Sequence, residues 1–441
     1  MRESVTSITL LTADAIASAD LAAQGNRQAP TALLIERTDS QSRILAAGRA
    51  SDLTHHPATD SAQRLHRPGC VLMPALVNAH THLDLTHIGP RPHHPSHGFM
   101  PWIDLVRRNR HTDPGEIRAS VARGCALLRQ GGVGLVGDIA GAVAGSPSLE
   151  PWQALAVSGL AGTSFIEFFA IGTREQASLD RLDTVLEGIT SLTRGQVRLG
   201  LQPHAPNTVS PRAYDHAGAL AQRLDLPLIT HLAESPEERE FVATTTGPQR
   251  RLLEDLGLWT DEIAQTFIHG SSPVEHLHPF IRKYGSTLVH LNQCSDRDLE
   301  LLARARARVV YCPRASDYFG AQRHFGAHRY REMLKAGIEV ALGTDSVINL
   351  PSGVVDEAGL GLSTLDEARF LFQRDGTDPD ILLKMMTTHG ARAIGWEDRF
   401  VTLGEGSTPV GILAIPASGE GTPAERVLRS GSAPEFLFGE N

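Results

Sequence analysis

Apolar residues along this chain fall into two rhythms. Up to about residue 70 they come in short blocks, SITLLTA, TALLIERT, SRILAAG and QRLHRPGCVLM, parted by polar or glycine-containing turns and without helix-length periodicity, which predicts strands. From about residue 400 the same rhythm returns in PVGILAIPA and AERVLRSG, read as two more strands that pair with the first set. The middle of the chain alternates apolar runs with helix-like stretches. The runs are VLMPALVNAH, GVGLVGDIA, GTSFIEFFA, VRLGLQPHA, LPLITHLAE, STLVHLNQ, RVVYCPRAS and EVALGTDS, the pattern of successive βα units feeding a parallel sheet. Helix starts punctuate them. Ser210 is placed as an N-cap with Pro211 at the first helical position and Ala213, Ala217, Leu220 and Leu224 at helical spacing; Ser295 with Asp298 approaches a capping box.

Eight βα units match the size of a closed barrel. The expectation is an α/β chain: a (β/α)8 TIM-type barrel over residues 71–399, with a small β-sandwich domain built from residues 1–70 plus 400–441. An open doubly wound sheet is the alternative, but no GxGxxG follows the first strand. Composition narrows the class. With 441 residues, 41% hydrophobic and 21% charged, the chain can bury a large core, and its formal net charge of -9 argues against affinity built on neutralising phosphates, hence no nucleic acid. No run of about 18 apolar residues is present, so no membrane span is expected. Cys70, Cys125, Cys294 and Cys312 form no CxxC pair, which fits a reducing cytoplasm and excludes a disulfide framework or zinc ribbon; the first three read as small buried hydrophobes, and Cys312 lacks a basic partner in sequence.

The strand ends carry the chemistry. The first ends in NAHTH, so His80 and His82, two residues apart on an extended strand, point to the same side, as two imidazoles on one metal ion require. His204 ends the fourth run, His231 the fifth with Glu234 three residues on, His290 the sixth and Asp345 the eighth. Singly, each is as well explained by a hydrogen-bonded structural group. Together, at the face where barrels of this type converge their functional side chains, they read as a metal site.

PALVNAHTHLDLT, PHAPNTVS, ITHLAES, VHLNQCSDRDLELLARARARVVYCPRAS and LGTDS resemble the amidohydrolase superfamily, in its deaminase and chlorohydrolase branch, and within it the adenosylhomocysteine-type and aminodeoxyfutalosine-type deaminases. The resemblance implies that His80, His82, His231 and Asp345 bind metal, that Glu234 and His290 serve catalysis, and that His204 contacts substrate. It also marks HIGPRPHHPSHGFMPWIDLVRR as a substrate-covering loop with Trp102 as a stacking group; His93, His94 and His97 there are read as solvated loop residues, and His269 as a loop or packing residue. Binuclear members of the superfamily carry a carboxylated lysine after the fourth strand. Here His204 stands there and the only lysines are Lys283, Lys335 and Lys384, so one metal ion is expected; Glu167 is read as a structural glutamate rather than a bridge to a second. VHLNQ in place of the usual VHC, and TDSVINLPSG without the Asn that often follows TDS, depart from the branch.

Three imidazoles and a carboxylate suit Zn²⁺, with Fe²⁺ as the alternative, and leave room for a water whose pKa the metal would lower, giving a metal-bound hydroxide to attack the amino-bearing carbon. Glu234 would protonate a ring nitrogen, Asp345 would carry the water proton to the leaving amine, and His290 would hold the nucleophile in line. The expected activity is hydrolytic deamination of an aminated heteroaromatic ring, an adenine-type nucleoside first. A chlorohydrolase or amidohydrolase on another ring, and a catalytically silent barrel scaffold, are the alternatives. The expected partner is a small molecule, and the expected assembly a homodimer.

Overall fold

A computed structural model of the protein describes residues 7–22, 30–38, 41–189, 191–350 and 361–438; Pro351, Ser352 and Gly353 of the TDSVINLPSG run lie outside them. The chain divides into two compact units, residues 1–79, 126–136 and 356–441 in one, residues 80–125 and 137–355 in the other.

In the first unit both chain ends meet in one mixed six-stranded sheet, ordered Glu435–Phe438, Ile412–Pro416, Gln63–Pro74, Ser7–Ile16, Ala32–Arg37, Ser42–Gly48. Ser7–Ile16 runs parallel to Gln63–Pro74 and antiparallel to Ala32–Arg37, while Ile412–Pro416 closes antiparallel on Gln63–Pro74. Successive side chains alternate between faces. Leu11, Leu33, Ile35, Ile44, Leu72 and Ile412 join one apolar cluster, and Leu10, Ala32, Leu34 and Leu53 another. Burial on both faces explains why the strands read as apolar blocks without a polar alternation.

One expected strand is a helix. AERVLRSG belongs to the helix Pro423–Ser430, where the Thr422 hydroxyl accepts from the Glu425 N–H at 3.2 Å, Pro423 occupies the first turn, and Ala424, Val427 and Leu428 are buried at helical spacing. Its apolar residues follow a 3.6 period, and the capping signal outranks their β-propensity. The strand of that region is Glu435–Phe438.

Each of the eight apolar runs contains a strand. They form two sheets, Leu76–Thr81, Val133–Ala140, Ala161–Phe168, Val197–Pro203 with the short Thr193–Arg194, and Ile229–Leu232, Thr287–His290, Arg308–Tyr311, Glu339–Leu342. The registered pairs among these eight are parallel, and the two-residue Thr193–Arg194 alone runs antiparallel to its neighbour. The first run is shared: Val71–Pro74 finishes a strand of the terminal sheet, and only Leu76–Thr81 belongs to the parallel set. Isolated parallel bridges join Leu201 to Leu228 and Thr81 to Asp345, linking one sheet to the other at two places. The helices start where expected: Ser210 caps Pro211–Leu224 through the Ala213 N–H, and Ser295 with Asp298 forms a full capping box on Asp296–Arg304. Among the described residues no helix is long and apolar enough to cross a membrane. The four cysteines form no disulfide; Cys125 and Cys312 are buried, whereas Cys70 and Cys294, expected to be buried, are only partly so.

Candidate metal centre

Backbone hydrogen bonds, more than side chains, bring the candidate ligands together. The Asp345 N–H donates to the His80 carbonyl at 3.0 Å and the His82 N–H donates to the Asp345 carbonyl at 2.7 Å, so residues distant in sequence share one ladder. His231 donates its N–H to the His204 carbonyl at 3.0 Å, and the parallel register sets Leu232 against His290. The chain bends sharply here. His290 and Asp345 adopt φ of 77° and 62°, the left-handed region that non-glycine residues avoid at a cost of about 1–3 kcal/mol. Both bends come where a strand ends, and they turn the side chains away from the ladder.

The result is a compact donor cluster. Asp345 Oδ1 lies 3.4 Å from His80 Nε2 and 3.7 Å from His82 Nε2, and His231 Nε2 lies 3.3 Å from His80 Nε2. Donors about 2.1 Å from one tetrahedral ion stand about 3.4 Å apart, close to these three distances; His80, His82 and Asp345 form one group of donors within 4.8 Å of one another, and His80, His231 and His290 a second that shares His80. Their charge states fit as well. Burial, with His80 nearby, pushes His82 down to about 3, and burial holds His231 well below its ordinary value, so both are neutral with lone pairs available. Burial alone would raise the Asp345 carboxyl, but the hydrogen bond with His80 and the surrounding imidazoles hold it well below the usual carboxylate range. Asn349 Nδ2 donates to the other Asp345 oxygen, and Gln202 Nε2 lies 3.2 Å from His231 Nδ1.

Glu234 and His290 stand next to this cluster, His290 Nε2 being 3.4 Å from Glu234 Oε1. The Glu234 turn is held by Glu238, whose two carboxylate oxygens accept the Ala233 and Glu234 N–H groups at 2.8 Å each, and by Asn292 Nδ2, which donates to the Glu234 carbonyl at 3.0 Å. Burial and then the Asp345 charge raise the Glu234 carboxyl well above its ordinary range. His290 is lowered to about 3 by burial, and its carbonyl accepts from His328 Nε2 at 2.8 Å.

His204 packs edge-on to His231 with ring centroids 5.1 Å apart, and a carboxylate oxygen of Glu167, a ring nitrogen of His204 and one of His231 lie within 4.8 Å of one another. Trp102 sits away from the imidazoles in an aromatic group with Phe99 and Phe319, at centroid distances of 5.3 and 5.5 Å. That loop is tied down: the Phe99 N–H donates to Glu237 Oε1 at 2.8 Å, and the Tyr318 hydroxyl donates to the Arg91 carbonyl at 3.0 Å. His93 is stacked on Tyr318 at 5.0 Å rather than solvated, because the loop folds back onto Pro313–Tyr318. His94 bonds Ser96, and the exposed His269 bonds the Ala243 carbonyl.

Sequence reasoning missed a second buried cluster. Arg110 Nε is 3.1 Å from Asp84 Oδ2, and Arg110 Nη1 is 3.0 Å from Glu167 Oε2. Asp138 accepts from the Leu83 N–H at 3.1 Å and from the Ser164 hydroxyl at 3.2 Å. Burial raises Asp84 to about 6 and, with the Asp84 charge added, Asp138 to about 7; burial would raise Glu167 too, but the Arg110 guanidinium brings it down to about 2. The available signal was acidic residues inside otherwise apolar strands, GVGLVGDIA and GTSFIEFFA.

A family model described as the amidohydrolase family matches residues 71–410. The aminodeoxyfutalosine deaminase of Deinococcus radiodurans is 31% identical over 382 residues, covering 82% of this chain and 83% of that protein. The 5-methylthioadenosine/S-adenosylhomocysteine deaminase of Nitratidesulfovibrio vulgaris is 26% identical over 80% of this chain and 73% of its own. Among solved structures, the aminofutalosine deaminase of Helicobacter pylori superposes with a TM-score of 0.74 at 19% identity, over 98% and 99% of the two chains. The zinc complex of the atrazine chlorohydrolase from Arthrobacter aurescens superposes with a TM-score of 0.69 at 18% identity, over 98% and 94%. At those identities the two structures speak for the fold.

Proposed function

The chain belongs to the amidohydrolase family, and from that premise we propose that it is a metal-dependent hydrolytic deaminase of an adenine-type nucleoside, of the aminodeoxyfutalosine or S-adenosylhomocysteine kind. The observation that carries the reading is the convergence of His82 and Asp345 on His80, with Asp345 3.4 Å from His80 and 3.7 Å from His82, and of His231 on the same His80 at 3.3 Å, with the Glu234–His290 pair alongside. Those four side chains would hold one divalent cation, zinc first and iron(II) as the alternative, which supplies Lewis-acid activation of water. The names of the relatives in Deinococcus radiodurans and Nitratidesulfovibrio vulgaris support the nucleoside class. For the fold, the Leu201–Leu228 and Thr81–Asp345 bridges support a closed (β/α)8 barrel over residues 71–399, and the one sheet shared by both chain ends supports a separate small β domain from residues 1–70 and 400–441, without itself supplying the second layer of a sandwich.

The remaining steps belong to the chain's own groups. Glu234, whose carboxyl burial and the Asp345 charge raise well above its ordinary range, donates a proton to the ring nitrogen beside the amino-bearing carbon, making that carbon electrophilic. His290 is neutral and 3.4 Å from Glu234, placed to orient the attacking water by a hydrogen bond. Asp345, ionised, accepts one water proton and passes it to the amine, and the hydroxyl proton left on the tetrahedral carbon returns to Glu234 as the C–N bond breaks and ammonia departs. A silent scaffold would need lost ligands, and all four are present. Trp102 is assigned to covering the substrate and His204 to contacting it.

The test is ammonia release by zinc-loaded protein from adenosine, S-adenosylhomocysteine, aminodeoxyfutalosine, cytosine and guanine, with chloride release from a chlorotriazine in parallel. An adenine nucleoside should give the highest kcat/KM. A free base or a triazine outperforming every adenine nucleoside overturns the substrate class.

A further inference from the structure

Glu167 occupies the penultimate position of Ala161–Phe168, with Gln202 as its register partner, and is 2% exposed. Its two oxygens are used unequally. Oε2 accepts from Arg110 Nη1 at 3.0 Å and from the Ala142 N–H at 3.1 Å, while Oε1 makes no hydrogen bond among the described residues. Oε1 is not among the fully buried atoms that lack a partner, so it is the carboxylate oxygen open to a hydrogen bond from a ligand.

His204 is arranged in a similar way. Its Nδ1 is 2.7 Å from the Thr208 hydroxyl, which itself donates to the Ala205 carbonyl at 3.1 Å. Thr208 therefore accepts from Nδ1–H, and Nε2 keeps its lone pair. The Glu167 carboxylate and the His204 ring thus stand together beside His231, all within 4.8 Å, as two acceptors facing the candidate metal centre. A second cation is disfavoured at this spot because the Arg110 guanidinium already lies 3.0 Å from the same carboxylate. Two neighbouring acceptors call instead for a ligand with two neighbouring donors, which is the chemistry of a vicinal diol.

We infer that Glu167 is a substrate-binding and specificity-determining residue: its Oε1 accepts a hydrogen bond from a hydroxyl of the substrate's sugar. Arg110 is the positioning residue that turns that oxygen toward the site. This rests on the nucleoside reading given above. In Glu167→Gln the amide carbonyl must take the Oε2 position to satisfy Arg110 and the Ala142 N–H, so the NH₂ group replaces Oε1 and an acceptor becomes a donor.

The experiment measures kcat, KM and calorimetric binding of adenosine and 2′,3′-dideoxyadenosine on zinc-loaded protein, with metal content determined for every variant. Wild type should prefer the ribonucleoside by about 100-fold or more in kcat/KM, since a site built to bind a hydroxyl strongly rejects the analogue without it. In Glu167→Gln the preference should collapse to within about 5-fold, mainly through KM, with one metal equivalent retained. Glu167→Asp keeps the charge beside Arg110 but draws the oxygen back by one methylene, so it should lose the preference even if the amide variant folds poorly. Arg110→Lys should retain part of the preference that Arg110→Met loses, which a merely structural arginine would not do. A wild type that prefers the ribonucleoside while both Glu167 variants keep that preference overturns the role of Glu167 alone. A protein that deaminates free bases but neither binds nor turns over nucleosides overturns the nucleoside reading, and this assignment with it.

Discussion

The imidazole cluster around Asp345 and the charge cluster around Arg110 lie in the same unit and are both largely buried, yet they handle burial in opposite ways. In the first, His82, His231 and His290 are driven neutral, and His80 and His82 stand against the Asp345 carboxylate, an arrangement with lone pairs to spare. In the second, a guanidinium lies against Asp84 and Glu167, so the charge is compensated internally. Depth alone therefore does not distinguish a site that needs an ion from one that does not. The sign and number of partners do.

The contrast breaks most visibly at the metal. Dialysis against a chelator should abolish turnover and added zinc should restore it. His231→Ala and Asp345→Asn should each drop metal content well below one equivalent per chain by elemental analysis, while leaving the apo-protein's denaturant midpoint close to wild type. Two tightly held metals in wild type, or full occupancy in both variants, would show that these side chains do not form the centre.

Glu234→Gln sharpens the boundary of the first cluster. It should keep the metal and lose about 10²–10⁴-fold in kcat, because an amide fills the space without moving a proton. A near wild-type rate with metal bound would remove Glu234 from the proton path.

The second cluster should answer in stability. Arg110→Met leaves Glu167 and Asp84 buried without their cation, a change worth about 3–5 kcal/mol in urea unfolding, with metal content unchanged. If instead the metal is lost and the stability kept, the two clusters are not independent.

The smallest effect is a slope. Folding raises Asp138 from its ordinary value to about 7, so between about pH 4 and 7 the native state binds the extra proton and stability falls as pH rises. The fall is at most about 1.4 kcal/mol per pH unit. Asp138→Asn, which has no proton to lose, should flatten that interval in denaturant titrations at several pH values; an unchanged slope would assign it to Asp84 instead, whose carboxyl is raised to about 6.

Much of this was legible in the chain itself. Eight apolar runs each hold a strand, and the HxH of NAHTH announces two imidazoles on one side because side-chain direction along a strand has a period of two. Ser210 and Ser295 mark helix starts because capping is local chemistry between residues three apart. Such features depend on neighbours in sequence, and so the sequence by itself determined them. The helix at Pro423–Ser430 was local too, but its apolar residues were read with the wrong period. Partnership over long separations was decided only by the tertiary structure. Arg110 meets Asp84 and Glu167 because loop and strand converge in space, and no spacing rule links residues 26 and 57 apart. The backbone bonds between Asp345 and the His80–His82 stretch arise in the same way, from register between strands that are distant in the chain. Residue types and local geometry set which groups could bind or ionise. Burial and pairing, which exist only in the folded chain, set which were left neutral, which were paired, and which single oxygen of Glu167 was left without a donor.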